Sequence, residues 1–455
     1  MPRSRRSAVT LCAIPVAAFA LGFGAPRASR DTIPDRLADS TFWRIVSTFS
    51  EPSGYFASEN FVSNENELQF VIPRVVARVP AGSAYLGVGP EQNFTYIAAL
   101  RPKIAFICDI RRQNLIEHLM YKALMEMSTD RADFLSKLWA RTRPDSLDAS
   151  STATALVAAY RDAKPDSLLF QITLGDIFGR LVHTHKFALT PEDSATLRVV
   201  YTVFYVNGPD ISYGSASRGI GQGPPAFAIR GAPFVGPGSA GTIRISNGAY
   251  AITWRLLADS SGRAIAMRDS NGVLVRDTVM DSTMARGGLF PVNRMPLFAG
   301  GWETFGSLMT ADDGAGVNRG WLGSEAAFRT VKDYESRNLI VPVVGDFGGP
   351  KALRAVAGYL KEHSARVGTF YTSNVEQYLF QYGSAPDFYR NVGELPTDSS
   401  SAFIRSYPPS PAIGSVPRTP RSRLVQMTSG IEAVVSAFQS GKLTSYYDLA
   451  QLRDQ

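Results

Sequence analysis

Cysteine and histidine are scarce in this chain of 455 residues, which contains two cysteines and four histidines. Cys12 lies in an N-terminal segment that resembles a targeting signal, so Cys108 stands alone and no internal disulfide is expected. Cys108 sits in an apolar run, which indicates a small buried side chain rather than a nucleophile. His183 and His185 could share one side of a strand, but no cysteine, aspartate or third histidine stands near them. We therefore expect no metal site, and a structural role for His118.

Acidic residues are absent from the first 28 positions, which carry Arg3, Arg5, Arg6 and Arg27. The net charge of +7 thus falls to +3 for the rest of the chain, which does not indicate binding to nucleic acid. The basic start, an apolar run over residues 8–23 and small residues near position 25 are typical of an export signal. We expect a periplasmic or extracellular protein, with an uncleaved inner-membrane anchor as the alternative. Residues 1–28 would then be its one contact with a membrane.

Apolar residues make up 45% of the chain and charged residues 19%, as in an ordinary globular protein. The stretch AYLGVGPEQN at residues 84–93 predicts a strand, a glycine turn and a helix begun by Pro90. Pro102 ends that helix, and residues 104–108 form a second continuous apolar run. Such a run is expected of a parallel strand buried on both faces. The pattern predicts a βαβ unit.

The glycine turn lacks the third glycine of a dinucleotide-binding fingerprint, since Gln92 stands there. Asp109 nevertheless lies about 20 residues beyond the turn, where a carboxylate accepts hydrogen bonds from ribose hydroxyls. Glu91 and Pro90 disfavour a pyrophosphate at the helix N-terminus, whereas Glu91 would suit the cationic groups of S-adenosylmethionine. Arg111 and its neighbour could attract a 2′-phosphate, but Asp109 would repel it. The alternative is a unit without ligand, in which Asp109 caps the next helix.

Polar residues also follow later predicted strands. Gly345 and Asp346 come after the run 338–344, and Asn374 follows the strand predicted over residues 365–371. Ligands of open α/β sheets bind at such carboxyl ends, although helix capping by Ser373 or Asn374 is the alternative. The polar and aromatic stretch 51–65 indicates either a turn with an Asn64 to Glu67 capping box or a lid.

These patterns predict an α/β fold with a mostly parallel, Rossmann-like sheet, helices on both faces and a small β-rich insertion. The expected layout is a signal or anchor at 1–28, the Rossmann-like domain at 29–207 and 301–406, the insertion at 208–300, and a linker with C-terminal helices at 407–455. Within it, residues 114–127 predict an amphipathic helix, and residues 198–207 are β-rich and predict a return to the sheet.

Five strings carry a family resemblance: EPSGYF at 51–56, LGVGPEQNF at 86–94, DIRRQN at 109–114, NLIVPVVGDF at 338–347 and YTSNVEQYL at 371–379. They resemble a family of uncharacterised bacterial proteins that is itself similar to class I S-adenosylmethionine-dependent methyltransferases. The resemblance implies a cofactor site, although the acidic residue usual two places before the first glycine is replaced by Tyr85. The expected cofactor-binding residues are Gly87, Gly89, Glu91, Gln92, Asn93, Asp109, Ile110, Arg111, Gly345 and Asp346.

Two functions from different classes remain open on the sequence. The first is methyl transfer from S-adenosylmethionine to an unidentified small-molecule or protein acceptor, with Tyr371, Asn374 and Glu376 on the acceptor side and no identified base. The second is an exported binding or scaffold protein that retains the fold without turnover. The export signal favours the second, because S-adenosylmethionine is made in the cytoplasm.

Overall fold

A computed structural model gives the fold. It describes residues 31–56, 60–213, 240–246, 251–258, 264–268, 274–276, 303–409 and 423–454. The predicted export segment with Cys12 lies outside these ranges. No helix in the described part of the chain is both long and apolar enough to cross a membrane.

A six-stranded, mostly parallel sheet forms the centre of this α/β protein. Its strands are β1 (Ala84–Gly87), β2 (Ala105–Asp109), β7 (Ile340–Val344), β8 (Val367–Ser373), β9 (Ala402–Tyr407) and β10 (Val425–Gly430). They lie side by side in the order β10-β9-β8-β1-β2-β7. All neighbouring pairs are parallel except β9 and β10. The sheet therefore continues past residue 406, the boundary that the sequence suggested, because β9 and β10 pair across the chain segment between them.

Helices connect and cover the strands. They are α1 (Asp39–Phe49), α2 (Ile72–Arg78), α3 (Gln92–Leu100), α4 (Arg112–Met127), α5 (Arg131–Trp139), α6 (Ala153–Asp162), α7 (Ser167–Phe178), α8 (Pro191–Asn207), α9 (Phe305–Thr310), α10 (Glu325–Ser336), α11 (Ala352–Glu362), α12 (Val375–Gln381), α13 (Ala385–Gly393) and α14 (Ile431–Gln439). A 3-10 helix, Tyr446–Leu452, follows α14.

The predicted βαβ unit is confirmed. β1 and β2 pair in parallel with Tyr85 opposite Ala105, and α3 joins them. Arg101 ends α3 in a left-handed conformation, with φ 48°, directly before Pro102. The helix of the unit thus ends before Pro102 as predicted, but it begins at Gln92, two residues after Pro90.

Both faces of the sheet are covered, because every residue of β1, β2, β7, β9 and β10 is buried. On one face Phe106 stacks on Phe49 of α1 and meets Tyr359 of α11 edge to face. On the other face Tyr371 of β8 contacts Tyr96 of α3, with ring centroids 5.1 Å apart. The apolar core therefore lies on both sides of the sheet.

Three local predictions from the sequence are wrong. Residues 198–207 belong to helix α8 instead of a strand, since Thr190 and Asp193 form a capping box and Pro191 opens the helix. His183 lies in the π-helical turn Gly179–Thr184 and His185 caps it, so they share no strand. Helix α4 is buried on all sides from Asn114 to Met125 rather than amphipathic, because α5, α8 and α10 surround it together with the sheet.

Four strands lie in the segment predicted as an insertion: β3 (Ala240–Ser246), β4 (Ala251–Ala258), β5 (Ala264–Arg268) and β6 (Leu274–Arg276). They form a separate antiparallel sheet in chain order. The remainder of 208–300 beyond residue 213 lies outside the described ranges, so the extent of the insertion stays a prediction.

Candidate functional site

The predicted site residues converge on one edge of the main sheet. We call it the carboxyl edge, meaning the carboxyl ends of β1, β2, β7 and β8 with the residues that directly follow them. The glycine turn follows β1, Asp109 ends β2, Gly345 and Asp346 follow β7, and Asn374 follows β8. Because these strands are parallel neighbours, one edge brings together groups from distant parts of the sequence.

Side chains of the chain itself fill the glycine turn. Asn93 donates from Nδ2 to the carbonyls of Val88, Gly89 and Pro90 at 2.8–3.0 Å, and its Oδ1 accepts from Tyr85 at 2.8 Å. A Cβ atom on Gly87 would lie only 2.0 Å from Asn93 Oδ1, and Gly89 has φ 78°. These glycines thus allow close packing of Asn93, and the whole turn is buried.

Gln92 lies over the same turn. Its Nε2 donates to the hydroxyl of Tyr371 at 3.2 Å and approaches the Val88 carbonyl at 3.4 Å. From the other side His118 Nε2 lies 2.9 Å from the Gly89 carbonyl, and burial lowers the pKa of this imidazole to about 4. His118 is therefore neutral and helps to hold the turn, as its structural assignment predicts.

Glu91 is buried directly beneath the turn. Its Oε1 accepts from the backbone N–H of Ser63 at 3.1 Å, and Oε2 has no hydrogen-bond partner among the described residues. Burial raises the pKa of this carboxyl to about 7. Glu91 and Gln92 line a cavity of about 20 Å³ beside Thr95 and Trp321. That volume accommodates one water molecule.

Asp109 is buried at the end of β2 and is held by the chain that follows. Its Oδ1 accepts from the backbone N–H of Arg111 at 2.9 Å and lies 3.3 Å from Arg111 Nε. Helix α4 begins only at Arg112 and has no side-chain cap, so Asp109 forms a turn before the helix instead of capping it. Arg112 forms two hydrogen bonds to Asp193, at 2.5 and 2.7 Å, and is thereby turned away from Asp109.

A strap crosses the carboxyl edge; we define it as residues 51–56 and 60–65. Its backbone pairs with the edge at two points, from Glu51 N to Val344 O and from Gly54 N to Ile110 O, both at 2.8 Å. Phe56 packs edge to face on Tyr378, and the Arg111 guanidinium lies 5.8 Å from the Phe56 ring centroid. The strap therefore lies where the sequence allowed a lid.

Glu51 anchors the strap to the loop after β7. Its Oε1 accepts from the N–H groups of Lys351 and Ala352 at 2.8 Å, and Oε2 accepts from that of Asp346 at 3.2 Å. A Cβ atom on Gly349 would lie 2.4 Å from Glu51 Oε2. The strap thus supplies the anion at the N-terminus of α11.

Glu65 anchors the other end of the strap. It is fully buried and accepts from Ser373 Oγ at 2.5 Å and from Gln426 Nε2 at 3.0 Å. Burial raises the pKa of Glu65, although its hydrogen bonds oppose this effect. The predicted Asn64 to Glu67 capping box is absent, because the next helix begins at Ile72 without a side-chain cap.

The residues predicted on the acceptor side have different surroundings. Tyr371 is fully buried, while Asn374 is half-buried and makes no capping hydrogen bond to α12. Glu376 is buried in an ion pair with Arg405 and accepts from Tyr389 at 2.6 Å. Of these three residues, only Asn374 is open to a ligand in this arrangement; Glu376 is part of the core.

Sequence reasoning missed Glu65 and Ser373 as partners, because 308 positions separate them. Their pairing could have been suggested by one feature of the sequence: residues 60–65 and 371–379 are both polar segments beside predicted strand ends. Cys108 is buried on β2, where burial raises its pKa well above the ordinary value. It is thus an inert core residue, as the apolar run predicts.

A second polar cluster lies between α1 and α4. His185 lies 2.7 Å from Glu126 and 3.0 Å from Asp39, and Lys122 lies 2.8 Å from Glu126. Burial lowers the pKa of His185, but these carboxylates outweigh it and raise the pKa above the ordinary value. Among the described residues no group of three or more His, Cys, Asp or Glu side chains has the arrangement of a metal site.

The fold and the site together define an α/β protein with polar groups gathered at the carboxyl edge of a mostly parallel sheet. Residues 60–175 and 303–436 match a family described as a domain of unknown function, DUF7790. Because these segments cover more than half of the chain, the protein belongs to that family. Residues 176–302, which lie between the two matched segments, contain the segment predicted as an insertion. No curated protein matches the chain.

Proposed function

We propose that this protein is a Rossmann-like, S-adenosylmethionine-dependent methyltransferase-like protein that acts on an unidentified acceptor. The order of the parallel strands carries the proposal. If the parallel strands β1, β2, β7, β8 and β9 are numbered 1 to 5 in chain order, they lie across the sheet, from the β7 edge, in the order 3-2-1-4-5. The direction of this order reverses between β1 and β8. Ligands of doubly wound sheets bind at such a reversal, outside the carboxyl ends of the strands. The glycine turn and Asn374 flank it.

The nucleoside end of the cofactor fits the residues at β2 and β7. Asp109 is held by Arg111 in a fixed orientation and would accept hydrogen bonds from ribose hydroxyls. Ile110, Arg111, Gly345 and Asp346 would line the space around the base. When bound, S-adenosylmethionine supplies an activated methyl group. The protein would contribute mainly the alignment of the acceptor with that group.

The amino-acid end fits less well, because Gln92 and Asn93 fill the turn. The Gln92 side chain must move before a ligand can approach Gly87 and Gly89. Glu91, with one unpartnered carboxylate oxygen, would then stabilise a cationic group beneath the turn. Phe61 and Val62 of the strap are buried in the apolar core, so residues 51–56 are the part of the strap whose release would open the edge.

The second candidate is a binding or scaffold protein that keeps this fold without turnover. The observation in its favour is the turn itself, whose carbonyls are already satisfied by Asn93. A protein that keeps this fold, with the glycine turn filled by its own side chains, can bind a partner without a cofactor. Processing of the native protein and its recovery only outside the cytoplasm would support this second function.

Calorimetry on the full chain tests the first proposal, with S-adenosylmethionine and S-adenosylhomocysteine as ligands. We expect binding to the wild type and a loss of about tenfold to a hundredfold in affinity for Asp109→Ala, because charge-assisted hydrogen bonds are worth about 1.5–3 kcal/mol. Asp162→Ala, at an exposed carboxylate on α6, is the matched control and should bind as the wild type does. Folded protein that binds neither ligand at millimolar concentration would refute the proposal.

A further inference from the structure

Ser373 has an unusual backbone conformation for its place in the fold. Among the described residues, seven that are not glycine have positive φ: Asn60, Arg101, Ala140, Lys186, Asn338, Ser364 and Ser373. Five of them directly follow helices, where this conformation is an ordinary ending. Asn60 lies in the strap. Ser373, with φ 52°, is the one that ends a strand, at the point where β8 turns into α12. Backbone strain of this kind collects at functional sites.

The turn brings the Ser373 hydroxyl to a carboxylate. Ser373 Oγ donates to Glu65 Oε1 at 2.5 Å, and Gln426 Nε2 holds the other carboxylate oxygen at 3.0 Å. Tyr371, Ser406 and Gln426 surround this pair. The buried carboxyl of Glu91 also lies close enough to interact electrostatically with Glu65, as do the phenols of Tyr85 and Tyr96. A fixed carboxylate in hydrogen-bond contact with a hydroxyl is the arrangement of a base beside its nucleophile.

The two partners differ in their access to solvent. Glu65 is buried, whereas Ser373 and Asn374 are half-buried at the carboxyl edge. A ligand or a single water molecule at this edge can approach the hydroxyl and the carboxylate oxygen beside it. A strand, a strained serine and a helix at the top of a parallel sheet also form the local geometry that presents a nucleophilic serine to substrate.

We propose that Ser373 is a nucleophile activated by Glu65, and that this edge transfers acyl groups from esters. In the first step Oγ bonds to the acyl carbon, and Glu65 takes the hydroxyl proton. The ester C–O bond then breaks, and Glu65 returns the proton to the departing alkoxide. Water hydrolyses the acyl-serine by the same path and regenerates the hydroxyl. This activity requires no cofactor, so it stands apart from the function proposed above.

A fluorophosphonate probe tests the assignment on the full chain. Attack by Ser373 would form an Oγ–P bond and release fluoride, with the proton passing to Glu65. Mass spectrometry should find one adduct, on the peptide that contains Ser373. Ser373→Ala should abolish it, whereas Ser47→Ala, at an exposed serine on α1, should label as the wild type does.

The role of Glu65 has its own measurement. Glu65→Gln keeps the size and one acceptor oxygen but cannot take the proton, so labelling should slow by about a hundredfold. In the wild type the labelling rate should rise with pH as Glu65 loses its proton. An unlabelled folded wild type, an adduct that persists in Ser373→Ala, or labelling of Glu65→Gln at the wild-type rate would overturn the proposal. Labelling by the probe needs no cofactor, so it is independent of the calorimetry. A protein that is labelled at Ser373 but does not bind S-adenosylmethionine would refute only the methyltransferase proposal.

Discussion

At the scale of single residues, the carboxyl edge is built by amide and carboxylate side chains that satisfy backbone groups. Asn93 serves three carbonyls of the glycine turn and Glu51 serves three N–H groups beside α11. Such groups cost free energy when they are buried without partners. Each of these side chains therefore stabilises a loop that has no regular structure of its own.

Ser373 allows a direct test of backbone strain. Ser373→Gly and Ser373→Ala both remove the hydroxyl, but glycine adopts φ 52° without the clash that alanine suffers. We expect Ser373→Gly to be more stable than Ser373→Ala by about 1 kcal/mol, measured by urea unfolding at equal slope. Equal stability of the two variants would show that this turn is unstrained.

The sequence allowed a prediction of which residues lie at the ends of the strands, but not of the contacts that their side chains make. Asp109, Gly345, Asp346 and Asn374 lie at the carboxyl edge as predicted, because parallel strands put their ends together. What fills and covers the edge was not predictable. The buried pairing of Glu376 with Arg405 and the filling of the turn by Gln92 depend on contacts between distant segments.

At the scale of elements, local patterns failed where tertiary packing and capping outweigh propensity. The run RVVYTVFYVN at 198–207 is rich in β-branched and aromatic residues, yet it is the second half of a helix begun by Thr190, Pro191 and Asp193. Strand β10 was missed because its polar sequence, VQMTSG, resembles a loop. Its neighbour β9 supplies the pairing that makes it a strand.

The strap is the element whose release would open the edge. Glu51→Ala removes the acceptor for the N–H groups of Asp346, Lys351 and Ala352, which should cost about 2 kcal/mol of stability. Hydrogen exchange should become faster at these amides and at Gly54. Glu362→Ala, at an exposed carboxylate at the other end of α11, is the control and should change neither quantity. Unchanged exchange in Glu51→Ala would mean that the backbone pairs alone hold the strap.

At the scale of the whole molecule, the buried carboxyls of Glu65, Glu91 and Glu335 and the half-buried His185 link folding to pH in the same direction. The buried His118 acts in the opposite direction, because its lowered pKa makes its contribution to stability rise with pH up to about 6.5. Burial raises the pKa of Glu91 to about 7 and that of Glu335 to about 8, while the carboxylates near His185 raise its pKa. In each case the folded protein holds a proton that the unfolded chain releases at lower pH. Stability from these groups is therefore present below their unfolded pKa values and is lost as pH rises through the folded ones.

The free energy of unfolding should accordingly fall between pH 5 and pH 8. Glu91 and Glu335 start from an ordinary value of 4.5, so between pH 5 and pH 8 each can contribute roughly 2–4 kcal/mol to the fall, at about 1.4 kcal/mol per pKa unit. Urea unfolding of the full chain across this range measures it. Glu91→Gln and Glu335→Gln should each flatten the curve, because a neutral amide does not titrate. His185→Gln should flatten only the part above about pH 6.5, the ordinary histidine value. A stability that stays constant from pH 5 to 8 in the wild type would contradict the burial of Glu91 and Glu335.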